Sequence, residues 1–199
     1  MLNLVKGCSV ARQELLEEGY RFSGENHITA NVNAEKIQEV VQHFITDHNE
    51  LLFFILEIPV NIERENPTTP GVLVELHKDV YYIDGCSSDV CLTILNQYGE
   101  LLVNDGISSF GFGGHESHDE IMVGKYNTVM IYGRSTARFE ILLASHGITL
   151  RKNLITSWET FTSDSPGNSE RYEVDGVTVF DLPEKLKELN IYLAETRVD

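Results

Sequence analysis

The chain has 199 residues, 42% of them hydrophobic and 23% charged, which fits one globular domain with a real core. Its 31 acidic residues oppose 15 basic ones, for a formal charge of −16 that repels nucleic acid and anionic membrane surfaces, with no basic stripe to compensate. The odd set Cys8, Cys86 and Cys91 forms no C-x-x-C, which argues against a disulfide framework or a cysteine-rich zinc site.

Ala11 to Glu18 is expected to form a short helix ended by Gly19, and Tyr20 to Ile28 a strand or loop. Lys6 and Arg12 bracket a mixed segment with no apolar core of a signal peptide, so a cytoplasmic location is expected. Asn33 is placed to cap a helix running to about Asp47. Within it Ile37, Val40, Val41, Phe44 and Ile45 recur on one face. Leu51 to Ile58 reads as a strand buried on both faces, far too short to span a membrane. Glu57 is its exception, and either sits at a sheet edge or faces a site.

The turn-rich stretch that follows contains Asn66-Pro67 and Pro70-Gly71. A single domain over 1–199 is expected, with an optional N-terminal subdomain 1–60 joined by the loop 61–76 to 77–199. Asp79 to Asp84 is strand-like. Ser87 or Ser88 then caps a helix carrying Val90, Cys91, Ile94, Leu95 and Tyr98, which Gly99 is expected to stop. Cys91 belongs to its apolar face. Cys86, just before the helix start, is a thiol candidate with His115 or His77 as partner.

The densest signals lie between Gly106 and Gly133. Phe110 and Phe112 alternate with Gly111 and Gly113, so a strand here shows two rings on one face and bare backbone on the other. A helix or strand is expected to pack on the bare face. Ser117 and Glu120 fit a capping box and predict a short helix stopped by Gly124. The region lacks the glycine and lysine pattern of a phosphate-binding loop, and Glu116, Asp119 and Glu120 would repel a phosphate. A divalent cation suits it better. His115, His118 and Asp119 are the metal-ligand candidates, Glu116 the candidate general base, and His77 or Asp105 a further ligand.

Thr128 to Tyr132 is strand-like, and Ser135 is placed to cap a helix with Phe139, Leu142 and Leu143, stopped by Gly147. Thr149 to Thr162 and Arg171 to Phe180 suggest a long hairpin. Asp181 with Glu184 resembles a second capping box, followed by a Leu182, Leu186, Leu189 stripe and Asn190 as the stop. The sole tryptophan, Trp158, is core if buried and an interface anchor if exposed. The elements together imply α+β, with a mixed, mainly antiparallel sheet and about four helices packed mostly on one face.

Three functional readings follow. The first is a non-enzymatic, acidic protein-binding domain that masks a basic partner, as a bacterial immunity or antitoxin protein does; it needs no cofactor. The second is a metal-dependent hydrolase built on the 113–120 loop, Gly-Gly-His-Glu-Ser-His-Asp-Glu. The third is a structural domain that forms a homodimer through the strand at Leu51 and the Phe-Gly strand.

Overall fold

The computed structural model describes residues 1–60 and 77–198, so the loop expected at 61–76 lies outside the described residues. The chain is α+β: eight strands form one antiparallel sheet, and the helices cover one of its faces. In chain order the elements are β1 (Cys8–Ser9), β2 (Gly19–Gly24), β3 (His27–Asn31), α1 (Ala34–Thr46), β4 (Leu52–Pro59), β5 (His77–Cys86), α2 (Ser88–Asn104), β6 (Ser109–Gly114), β7 (Glu120–Val123), β8 (Thr128–Tyr132), α3 (Ala137–Ser145), β9 (Asn168–Ser169), α4 (Leu182–Lys185) and β10 (Tyr192–Val198). The large sheet runs β10-β5-β4-β6-β7-β8-β3-β2, and β1 pairs separately with β9. Strands from both sides of residues 61–76 thus share one sheet.

Side-chain alternation separates its two faces. Phe110 and Phe112 are fully buried on the helix side, beside Phe54 and Leu56 of β4, Ile121 of β7 and Ile131 of β8. Ile37, Val40, Val41, Phe44 and Ile45 of α1 join them, as the helical spacing predicts, together with Cys91, Ile94 and Leu95 of α2. Each large apolar side chain buried here contributes about 1.5–3 kcal/mol. The glycine side is occupied differently from expectation. No helix lies on it among the described residues; instead the side chains of Met122 and Phe53 lean in from the flanking strands. A Cβ on Gly111 would collide with the Met122 sulfur, and one on Gly113 with the Phe53 ring.

Several local expectations change. Gly99 does not stop α2, which continues to Asn104. It lets the helix pass close to α1, since a Cβ there would lie 2.7 Å from Gln38 Cδ. Leu101 and Leu102 are therefore helical core residues rather than an extended run. Ala11 to Glu18 holds only a 3-10 turn at Gln13–Leu15. The long hairpin expected after Thr149 is absent among the described residues, and a 3-10 turn at Ser157–Thr160 stands in its place. Asp181 does not cap α4 with its side chain; it closes the capping box of the preceding 3-10 turn, its Oδ2 accepting from the Thr178 amide at 2.8 Å and hydroxyl at 2.9 Å. Asn190 ends the following turn in the left-handed region, as expected. The strands at Leu51 and Phe110, expected to pair across a dimer, pair with one another, and each has a second neighbour in the same chain, β5 for one and β7 for the other.

One polar group fixes the N-terminal segment to this framework. Asn127 is fully buried, in the left-handed region at φ 62°. Its Nδ2 donates to the carbonyls of Asn3 at 2.8 Å and Val32 at 2.7 Å, and its Oδ1 accepts from the Val5 amide at 2.9 Å. Replacing it with alanine strands the buried Val5 amide and Val32 carbonyl, frees the Asn3 carbonyl, and loses a side chain that tolerates positive φ. Asn127→Ala should lower stability by about 3 kcal/mol, read as a lower urea midpoint at unchanged slope.

Candidate functional site: an open cleft on the sheet

The face away from the helices is a cleft of about 750 Å³. Its floor follows from strand register. Tyr82, Ile55, Gly111, Met122, Met130 and Thr29 lie side by side on consecutive strands, with Arg21 at one end of the row and Tyr192 at the other. Ile55, Met122 and Val80 are buried there, flanked by Phe53, Tyr82 and Met130. One wall carries Thr156 and Trp158, and the opposite one Arg197. Trp158 is 52% exposed and is therefore not a core residue. Tyr126 and Phe161 hold it edge-on, with ring centroids 5.2 and 5.4 Å away.

Two carboxylates enter the cleft from opposite sides of the apolar floor. Glu57 lies inside β4, not at a sheet edge, and is 7% exposed. Lys78 meets its Oε2 at 2.8 Å and Arg197 its Oε1, so both oxygens are satisfied. Arg21 is likewise engaged, donating to the Leu154 carbonyl at 2.7 Å and pairing with Glu159 at 3.0 Å. Glu120 differs. It stands on β7 with Tyr132 on β8 as its cross-strand neighbour and Gly113 on β6 on the other side. Among the described residues its carboxylate has no hydrogen bond or ion pair. Burial, then the charge of Glu57, push its pKa above the usual carboxylate range, while Arg197 opposes them. Burial, then the Glu120 charge, also raise the phenols of Tyr82 and Tyr132. A half-buried carboxylate beside Tyr132, in a cleft that Tyr82 also lines, has the chemistry to receive a cation.

The loop expected to bind metal is arranged otherwise. His118 is exposed, with φ 58°. His115 leans on the Phe53 ring, accepts from the Gly85 amide at 3.3 Å and lies 3.6 Å from Asp84. Asp119 turns inward to Arg138 Nη1 at 2.9 Å. Buried His48 lies beside it, Nδ1 donating to the Phe44 carbonyl at 2.6 Å and Nε2 accepting from Arg138 Nη2 at 2.7 Å. Glu116 is exposed, and its amide donates to Glu50. Burial works against the Glu50 charge, but hydrogen bonds from Ser117 and Glu116 outweigh it and hold that carboxyl below its usual range. The structure thus does not bring His115, His118 and Asp119 together. Among the described residues no three His, Cys, Asp or Glu side chains are arranged to hold a metal ion. Asp105 binds the amides of Ile107, Ser108 and Tyr172 and acts as a loop anchor. His77 pairs with Val198 at the start of β5.

The capping-box reading of Ser117 is corrected on the same ground. Ser117 Oγ accepts from the Asp119 amide at 3.2 Å, within a tight turn between β6 and β7, and no helix follows. Glu120, expected to close the box, faces the cleft instead. The alternation of Glu120 and Met122 with Ile121 and Val123 is the signal that identifies it. Comparison of the chain with protein-family models, with curated proteins and with solved structures finds no match in any of them. Among the described residues no helix is long and apolar enough to cross a membrane.

The raised pKa of Glu120 has a consequence for stability. A carboxyl that holds its proton more tightly when folded favours the native state at low pH, and that advantage is lost as pH rises through the folded pKa. Glu120→Gln should therefore raise the urea midpoint at about pH 7, and the gain should vanish below about pH 4, where the unfolded carboxyl is protonated as well.

Proposed function

We propose that this chain is a non-enzymatic protein-binding domain whose open sheet face receives a basic segment of its partner. The observation that carries this reading is Glu120, a half-buried carboxylate with no ion pair or hydrogen bond among the described residues, which lines the cleft together with its cross-strand neighbour Tyr132 and with Tyr82. A lysine or arginine entering the cleft would pair with it while its aliphatic stem lies over Ile55, Met122 and Met130. Glu57 is a poorer target, because Lys78 and Arg197 already neutralise it. The formal charge of −16 attracts a basic partner from a distance, and the exposed Trp158 offers a contact at the rim. Masking of a cationic protein, as an immunity or antitoxin protein does, is the concrete form of this activity.

Trp158 supplies the assay, being the only tryptophan and lying on the cleft wall. Its fluorescence should shift on titration with an arginine hexapeptide amide and stay unchanged with a glutamate hexapeptide. Measurements at about 0.15 M salt screen the general field of the protein beyond roughly 8 Å. Glu120→Gln should weaken binding about ten- to a hundredfold, the effect of losing a charge-assisted hydrogen bond. Glu188→Gln, an exposed change on the turn before β10, should leave the affinity as it was. Equal binding by the Glu120→Gln and Glu188→Gln proteins would sink the proposal.

A further inference from the structure

The two ends of the large sheet are finished differently. At β2 the outer edge is occupied at Tyr20, whose amide donates to the Thr149 carbonyl at 3.0 Å and whose carbonyl accepts from the Arg151 amide at 2.8 Å. At the other end β10 pairs only with β5 among the described residues. All 7 of its residues are exposed, so nothing described covers either of its faces. Leu193 at 49% and Val198 at 55% lie on the helix side, and Tyr192 at 45% on the cleft side. A strand with an unpaired backbone edge is a template for another strand, and apolar residues on both faces add surface to bury.

The order of charges along β10 selects the partner. The register with β5 is regular from Glu195 to Val198 and puts Glu195 and Arg197 on the cleft face, opposite Val80 and Lys78. Two copies of β10 joined antiparallel, with their cleft faces on the same side, must place like-facing residues opposite one another. Centring the pair on Glu195 or on Arg197 sets like charges against each other. Centring it on Thr196 sets each Glu195 against Arg197 of the other copy, Thr196 against Thr196, and Ala194 against Val198. Unlike charges directly opposite stabilise an antiparallel pair, and like charges oppose it. The bulge at Ala194 falls at the margin of this register.

We propose that β10 is the pairing edge of a homodimer, two copies joining antiparallel about a twofold axis at Thr196. The two sheets become continuous, and their clefts open on the same side.

Sedimentation velocity over a concentration series tests it, using the wild-type protein, a Glu195→Arg protein, an Arg197→Glu protein and an equimolar mixture of the last two. The wild type should dimerise. Each variant alone should dimerise about tenfold more weakly, because its two cross-strand pairs become like-charged. The mixture should recover dimerisation at wild-type strength, since one copy then presents arginine at both positions and the other glutamate at both. Arg197→Glu also removes a partner of Glu57, so circular dichroism checks its fold, and Glu195→Arg alone remains decisive if that variant does not fold. A wild type that stays monomeric up to its solubility limit, or a Glu195→Arg protein that dimerises as the wild type does, would overturn the proposal.

Discussion

The buried side chain of Asn127 is the constraint on which the covered side of the sheet depends. It links the N-terminal segment at Asn3 and Val5, the residue after β3, Val32, and the turn that precedes β8. Val32 leads directly into α1, whose first turn is further fixed by the Asn3 amide donating to Asn33 Oδ1 at 2.8 Å. The start of α1 is therefore held by hydrogen bonds, and apolar packing fills the space beneath the helix. A buried polar group with all its partners met specifies one arrangement, because any shift leaves donors or acceptors unsatisfied.

With one face committed to the helices, the other takes its character from the alternation of glycine and phenylalanine on β6. Gly111 and Gly113 make room for Met122 and Phe53 to lie across the strand. The open face is thereby lined by apolar side chains of its own and needs no helix to cover its backbone. Glu57 and Glu120 border this lining with the same chemistry and different surroundings. Two cations complete the first, whereas burial and a neighbouring negative charge surround the second.

The sequence was legible where a single period dominates. The spacing of Ile37 to Ile45 identifies α1, the unbroken run after Leu51 identifies β4, and Ser87 does accept from the Val90 amide at the start of α2. It was misleading where a local motif competed with tertiary pairing. Ser117 and Glu120 satisfy a helix-start pattern, but pairing of β7 with β6 and β8 on both sides outweighs one cap. Gly99 looks like a stop and serves close helix packing, which depends on Gln38 far away in the chain. The cleft itself was legible only in fragments: the exception at Glu57 and the two possible fates of Trp158. Its assembly depends on sheet order, which brings β4, β7 and the Trp158 turn to one face and which no local pattern encodes.

That sheet order also governs how the chain can reach its native state. The hydrogen bond from Val5 to Asn127 spans 122 residues, and β3 finds its inner neighbour only in β8. During synthesis the β2–β3 hairpin must therefore wait, with Ile28 and Ala30 lacking their final neighbours, until β4 to β8 have emerged. A fold dominated by such distant pairings closes large loops before it gains their contacts, and it is slow for its size. Over that interval the acidic excess takes on another role: mutual repulsion keeps unfinished chains apart while their apolar strands are still uncovered.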